Sequence, residues 1–490
     1  MKRLNQVTLA QVPPSISRPQ YDRAATGVGI VHLGVGAFHR AHQAFYTEAV
    51  LNNKGGDWGI IGASLRSTHV SQQLNPQDGL YTLVEKNNGQ QTEQIIGAIK
   101  SIIAASETPG ALIELLADDK TKIISLTITE KGYLYNPATK SLNFENPDIQ
   151  HDIKNFPDAP VTAIGYIIAG LARRMREKRS GVTLLSCDNL PNNGKILLRV
   201  IGDCADAVDS KLLTWIKHNV SCPNTMIDRI VPASTAKDLE ALANKLGLED
   251  QAAVFTEPFS QWVIEDDFIN GRPEWESAGA LLVDDVKPFE DAKLRLLNGS
   301  HSLMAYLGYL AGYDFVHQVV ADGDFHQLVR SYMAEVIPGL EVPIDFNLSH
   351  YTQQLMERFS NSSLNHKTAQ IAQDGSQKIP QRWFNSIANP RCTTLNCHAL
   401  ALAGWVHFIG GKRDNGETYT IDDPMAEALK NKVNHSQELK IENALQVIGL
   451  GDVIGKYPSF LALANNYLFS IQSHGVKATV KELADQLSAV

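Results

Sequence analysis

The stretch Gly29-Ile-Val-His-Leu-Gly-Val-Gly-Ala-Phe-His-Arg-Ala-His42 confines the chain to few folds. Residues 30–33 form a short apolar strand, Gly34-x-Gly36 a tight turn, and from Ala41 onward the apolar residues recur at helical spacing. A strand, a glycine turn and a helix in that order are the context of a dinucleotide fingerprint. The glycines let the backbone approach a pyrophosphate, and the helix N-terminus attracts its charge. His39 stands where the third glycine of that fingerprint belongs, so a plain βα turn satisfies the same local pattern.

The pattern repeats downstream. Residues 58–65 read as a second strand, 81–85 with 94–99 as a third candidate pair, and 123–128 and 182–187 as fully buried strands. Helical periodicity separates the last two, at 163–174. Alternation of this kind predicts an α/β fold with a Rossmann-like, doubly wound sheet. Beyond about residue 288 the strand signals fade, and 328–337, 351–359, 399–409, 425–429 and 458–487 read as helical. The expected division is therefore 1–286, a dinucleotide-binding domain, and 287–490, a mainly α-helical substrate and catalytic domain. At 490 residues the chain is too long for one ordinary core, which agrees.

A net charge of −9 argues against nucleic acid or an anionic membrane as partner. No apolar run reaches the ~18 residues of a membrane span, and Met1-Lys-Arg-Leu-Asn-Gln precedes no apolar segment of the signal-peptide kind. The five cysteines are odd in number and lack Cys-x-x-Cys spacing, as expected of reduced thiols in a cytoplasmic protein without structural zinc.

Lys293, Asn298 and His301 interrupt an apolar, helix-forming run. At about 100° per residue, Asn298 lies ~140° and His301 ~80° round the axis from Lys293, so all three can face one cavity. A desolvated lysine moves protons, an asparagine holds a carbonyl oxygen, and a histidine orients a hydroxyl. A buried helix whose three polar residues are satisfied by neighbours is the competing reading. Lys293-x-x-x-x-Asn298-x-x-His301 resembles the active-site helix of the polyol-specific long-chain dehydrogenases, the family of mannitol 2-dehydrogenase and fructuronate reductase. The turn motif Gly34-x-Gly36-x-Phe38-x-Arg40-x-His42, the block Ser186-Cys187-Asp188-Asn189 and the stretch from Glu257 to Phe268 extend the resemblance from Ile30 to about Asp423.

The resemblance implies metal-independent hydride transfer with NAD. Lys293 is then the general acid or base, Asn298 and Asn189 polarise the substrate carbonyl, and His301 orients a neighbouring hydroxyl; His301 as the base is the alternative. Gly34, Gly36, Ala37, Phe38 and Arg40 are implied at the cofactor, with His39, Arg40 and His42 steadying cofactor or fold. After the second strand, Ser64-Leu-Arg66-Ser67-Thr68 carries no acid for a ribose hydroxyl. Arg66 there is either a cofactor contact or a solvated charge. The segment His366-Lys367-Thr-Ala-Gln370 through Lys378-Ile-Pro-Gln-Arg382 resembles the fructuronate reductase version of a shared block. A uronate carries a carboxylate, which gives Lys378, Arg382 and Lys367 a physical role. Reduction of D-fructuronate to D-mannonate is the expected reaction in hexuronate catabolism. Mannitol 2-dehydrogenase and tagaturonate reductase are the alternatives, and a catalytically silent sugar sensor is the reading from another class. Intact Lys293 argues against the last.

Overall fold

The computed structural model describes residues 1–344, 346–434 and 439–488. The chain divides into two compact units, Met1–Lys287 and Pro288–Val490, one residue beyond the expected boundary.

The first unit is built on a six-stranded parallel sheet: β1 (Val28–Leu33), β2 (Gly59–Ser64), β3 (Ile99–Ala104), β4 (Ile123–Leu126), β5 (Val182–Ser186) and β6 (Val220–Ser221). Their spatial order is β6-β5-β4-β1-β2-β3, with every neighbouring pair parallel. That is the order of a doubly wound dinucleotide fold, which reverses direction between β1 and β4. Alternation along the strands feeds two cores. Val31 and Leu33 pack with Ile124, Leu126 and the helix Ala163–Glu177, whereas Ile30 packs with Ile60, Ile123 and the helix Gln43–Lys54. β4 is wholly buried, as its unbroken apolar run requires.

The strand pair expected at 81–85 and 94–99 resolves differently. Tyr81–Asn87 pairs antiparallel with Gln90–Ile96, and Val254–Thr256 joins them, while Ile99–Ala104 is the edge strand of the main sheet. Only Gly97 and Ala98 separate the two strands, so one apolar run conceals a change of sheet.

The second unit is helical. Its principal members are Gly323–Val336, Leu348–Phe359, Asn396–Phe408, Pro458–His474 and Val476–Ser488. The last two fall within the stretch expected to be helical, and Gly475, at φ +82, parts them. Asn396–Phe408 runs through the middle of the core, buried nearly all round, and Gly404 lets Leu307 press on its backbone. Leu307 belongs to a helix spanning residues 287–310, which is α-helical except for two π-helical stretches, Lys293–Asn298 and Met304–Gly308.

Candidate active site

In the first unit the functional geometry gathers where β1 and β4 part. Gly34 has φ +92, and a Cβ there would stand 2.2 Å from the Thr127 carbonyl oxygen, so only glycine lets β1 turn away this close to β4. At Gly36 the nearest atom to a Cβ would be 4.0 Å away, so open space faces the turn. The helix Ala37–Ala41 begins there, and its first amide N–H groups have no acceptor within the helix. Backbone donors and vacant room beside Gly36, Ala37 and Phe38 fit a dinucleotide pyrophosphate.

The histidines and Arg40 lie behind this turn. Arg40 is buried; its Nε donates to Gly36 O at 3.3 Å and its Nη1 to Ala252 O. It props the turn from inside the fold. His42 Nε2 bonds Gln261 O at 3.0 Å. His39 stacks on His32 with centroids 3.4 Å apart. Burial holds the His32 imidazole down to about 3 and pushes that of His39 well below the usual range, so both are neutral. His32 bridges Ser125 Oγ and Thr127 Oγ1, each at 2.8 Å, and Thr127 Oγ1 donates to Gly34 O at 2.6 Å.

At the carboxyl end of β5, Asp188 accepts from Ile128 N and Thr129 N, both at 2.9 Å, and from Tyr133 Oη at 2.8 Å. It thus pins the loop after β4, where Thr129 is held at φ +63. Desolvation raises the Asp188 carboxyl, and these three donors oppose it. Asn189, next in line, is exposed. Arg66 follows β2, where it was expected, with a side chain 84 % exposed and 3.4 Å from Asp148. Asp148 belongs to the helix Pro147–Asn155.

In the second unit Lys293, Asn298 and His301 share the 287–310 helix, but its local winding departs from the expected α-helix. A π turn bonds residues five apart, which brings Lys293 and Asn298 about one turn from each other instead of ~140° round the axis. Lys293 and His301 are both buried. Arg382 Nη1 donates to Asn298 O at 3.2 Å and to Ser302 Oγ at 2.8 Å, which fixes its guanidinium against the same helix. Lys378, one turn earlier on Gly375–Arg382, donates to Gln373 O at 2.6 Å and Ile371 O at 3.4 Å. Lys367 is exposed, at the start of Thr368–Ile371. Arg295, on the same helix, is engaged with Ser386 Oγ at 2.9 Å and Gly339 O at 2.7 Å.

His301 lies between Phe359 and His366, with ring centroids 4.9 and 5.0 Å away. Burial, then the charges of His366, Arg382 and Arg358, push its imidazole well below the ordinary value. It is a neutral donor and acceptor at working pH, and its Nε2 is buried without a protein partner. His366 is likewise lowered, to about 4, by burial and Arg358. The sequence did not single out His366 or Phe359 as neighbours of His301; they come from a separate segment, and no spacing links them. Among the described residues no three His, Cys, Asp or Glu side chains converge as a metal site would require. Nor is any described helix long and apolar enough to cross a membrane.

A Rossmann-type unit with a glycine turn, followed by a helical unit carrying a buried lysine and histidine and a half-buried asparagine on one helix, defines a dinucleotide-dependent oxidoreductase. The chain belongs to the mannitol dehydrogenase family: residues 28–277 match the mannitol dehydrogenase Rossmann domain and residues 285–467 the mannitol dehydrogenase C-terminal domain. It acts, as that family does, on CH–OH donors. It is 42% identical to an uncharacterized oxidoreductase of Escherichia coli, over 92% of this chain and 93% of that one. It is 41% identical to the D-mannonate oxidoreductase of Escherichia coli, over 89% and 91%. Among solved structures it resembles Pseudomonas fluorescens mannitol 2-dehydrogenase, in ternary complex with NAD and D-mannitol, at TM-score 0.85 and 38% identity, with 99% of each chain covered.

Proposed function

We propose that the protein is a cytoplasmic, NAD-dependent fructuronate reductase that interconverts D-fructuronate and D-mannonate without a metal. The observation that carries the substrate choice is the guanidinium of Arg382, fixed against Asn298 and Ser302, with the Lys378 ammonium one helical turn away on the same helix. Two anchored cations suit a substrate that ends in a carboxylate. The 41% identity to a D-mannonate oxidoreductase agrees.

The bound cofactor supplies or accepts the hydride. Lys293, as ammonium, gives its proton to the oxygen formed on reduction, and as amine takes the alcohol proton on oxidation. The side-chain amide of Asn298 is assigned to that oxygen, with Asn189 as the second amide. Neutral donors placed where negative charge develops serve as an oxyanion hole. His301, held neutral by burial, is assigned to a neighbouring substrate hydroxyl; an imidazole so far below its usual range is a poor base at neutral pH.

Mannitol 2-dehydrogenase is the second reading, favoured by the match to the Pseudomonas fluorescens enzyme over 99% of both chains. NADH oxidation measured against fructuronate, tagaturonate and fructose separates the two. Fructuronate is expected to give much the highest kcat/KM. Equal values for fructose and fructuronate would move the assignment to mannitol 2-dehydrogenase.

A further inference from the structure

The π turn at Lys293–Asn298 has a specific cause. The Gly299 N–H is shared between Leu294 O, five residues back, and Leu296 O, three back. Arg295 O, four back and the normal α-helical acceptor, is passed over. That carbonyl instead accepts a hydrogen bond at 3.0 Å from Tyr332 Oη, on the neighbouring helix Gly323–Val336. The hydroxyl reaches it because residue 299 is glycine: a Cβ there would stand 2.0 Å from Tyr332 Oη. Two later carbonyls also accept from side chains, Asn298 O from Arg382 Nη1 at 3.2 Å and Gly299 O from Trp383 Nε1 at 3.2 Å.

We infer that Tyr332 is a positioning residue for catalysis: its hydroxyl holds the 287–310 helix in the π register that sets Lys293 and Asn298 on a common face. The inference rests on the roles proposed above for those two residues. In an α-helix, residues five apart diverge by about 140°. In a π turn they lie roughly one above the other. Competition for Arg295 O decides between the two. With the tyrosine hydroxyl in place the carbonyl is satisfied from the side, and the Gly299 N–H bonds elsewhere. Without it, a buried carbonyl and the Gly299 N–H have each other as the nearest remedy, and the helix regains its α register. Tyr332 is fully buried, and burial pushes its phenol up, so it stays a donor at every working pH.

Tyr332→Phe removes the hydroxyl and keeps the ring. The expected result is a fall in kcat of roughly 10- to 100-fold, the cost of misplacing a reacting group by about an ångström. KM for NADH and the thermal midpoint should be nearly unchanged, because the recovered α-helical bond replaces the one lost. The solvent deuterium isotope effect on kcat should rise as proton transfer becomes limiting. A residue that only packed would lower the midpoint and leave kcat and the isotope effect alone, and that outcome overturns the inference. So does a crystal structure of Tyr332→Phe in which the Gly299 N–H still bonds Leu294 O. Lys293→Ala is the parallel control. If it is inactive while Tyr332→Phe turns over at the wild-type rate, the inference alone fails. If Lys293→Ala itself retains activity, the proton-transfer assignment fails and the inference with it.

Discussion

His301 shows how burial converts a titratable side chain into a fixed hydrogen-bonding group. Its unfolded-state value is about 6.5, and the folded protein holds it far lower. Between those values the unfolded chain binds a proton that the folded chain does not, so stability rises with pH through that window and is lost as pH falls below about 6.5. The loss is about 1.4 kcal/mol per pH unit for this one residue. His301→Gln keeps a neutral polar group and removes the titration. The stability difference between wild type and His301→Gln, from urea unfolding at pH 7.5 and 5.5, should therefore narrow at the lower pH. A difference that stays constant between the two would show that His301 titrates normally in the folded protein. His32, His39 and His366 share this sign, which is why a paired comparison is needed to isolate His301.

Among the elements, the corner after β2 is where a choice between cofactors is expected to be made. Arg66 is exposed and meets Asp148 at 3.4 Å, and an exposed ion pair of this kind contributes about 0–1 kcal/mol. The acid of the pair can accept from a ribose hydroxyl or oppose a phosphate placed there. NADH is thus expected to be preferred over NADPH, and Arg66→Ala should change KM for NADH less than about threefold. A clear NADPH preference that disappears in Arg66→Ala would make this corner a phosphate site. Asp148 also marks what the sequence conceals. The strands at 30–33, 123–128 and 182–187 were legible because each is an apolar run buried on both faces, bounded by turn residues. Asp148 lies some eighty positions from Arg66, and only the folding of the chain places them together. The π turn was illegible for another reason. It is a slip of one hydrogen bond, and Lys293, Asn298 and His301 keep the same spacing whether or not it occurs. The change of sheet at Gly97 and Ala98 was hidden in the same way, since both strands are apolar and no turn residues other than that glycine intervene.

For the molecule as a whole, the family's scaffold accepts several sugars, so discrimination must arise where the substrates differ. Fructuronate and fructose share a ketone flanked by hydroxyls, so groups proposed to act at that end treat them alike. They differ at the far end, carboxylate against hydroxymethyl. A charge-assisted hydrogen bond to a partly desolvated carboxylate contributes about 1.5–3 kcal/mol, roughly 10- to 150-fold in kcat/KM. Besides the carboxylate contact proposed for it, Arg382 braces the helix, since its Nη1 holds Asn298 O and Ser302 Oγ. Arg382→Met is therefore expected to slow both sugars through the helix, and fructuronate by that further factor. The ratio of kcat/KM for fructuronate over fructose is the measurement that separates the two effects, because the loss common to both cancels in it. Lys378→Met should lower both substrates, as the shared family block implies. Lys367→Met should change the ratio least, because an exposed ammonium gains little from a charge-assisted bond. An Arg382→Met enzyme whose ratio matches wild type would confine Arg382 to bracing the helix and leave the carboxylate to Lys378.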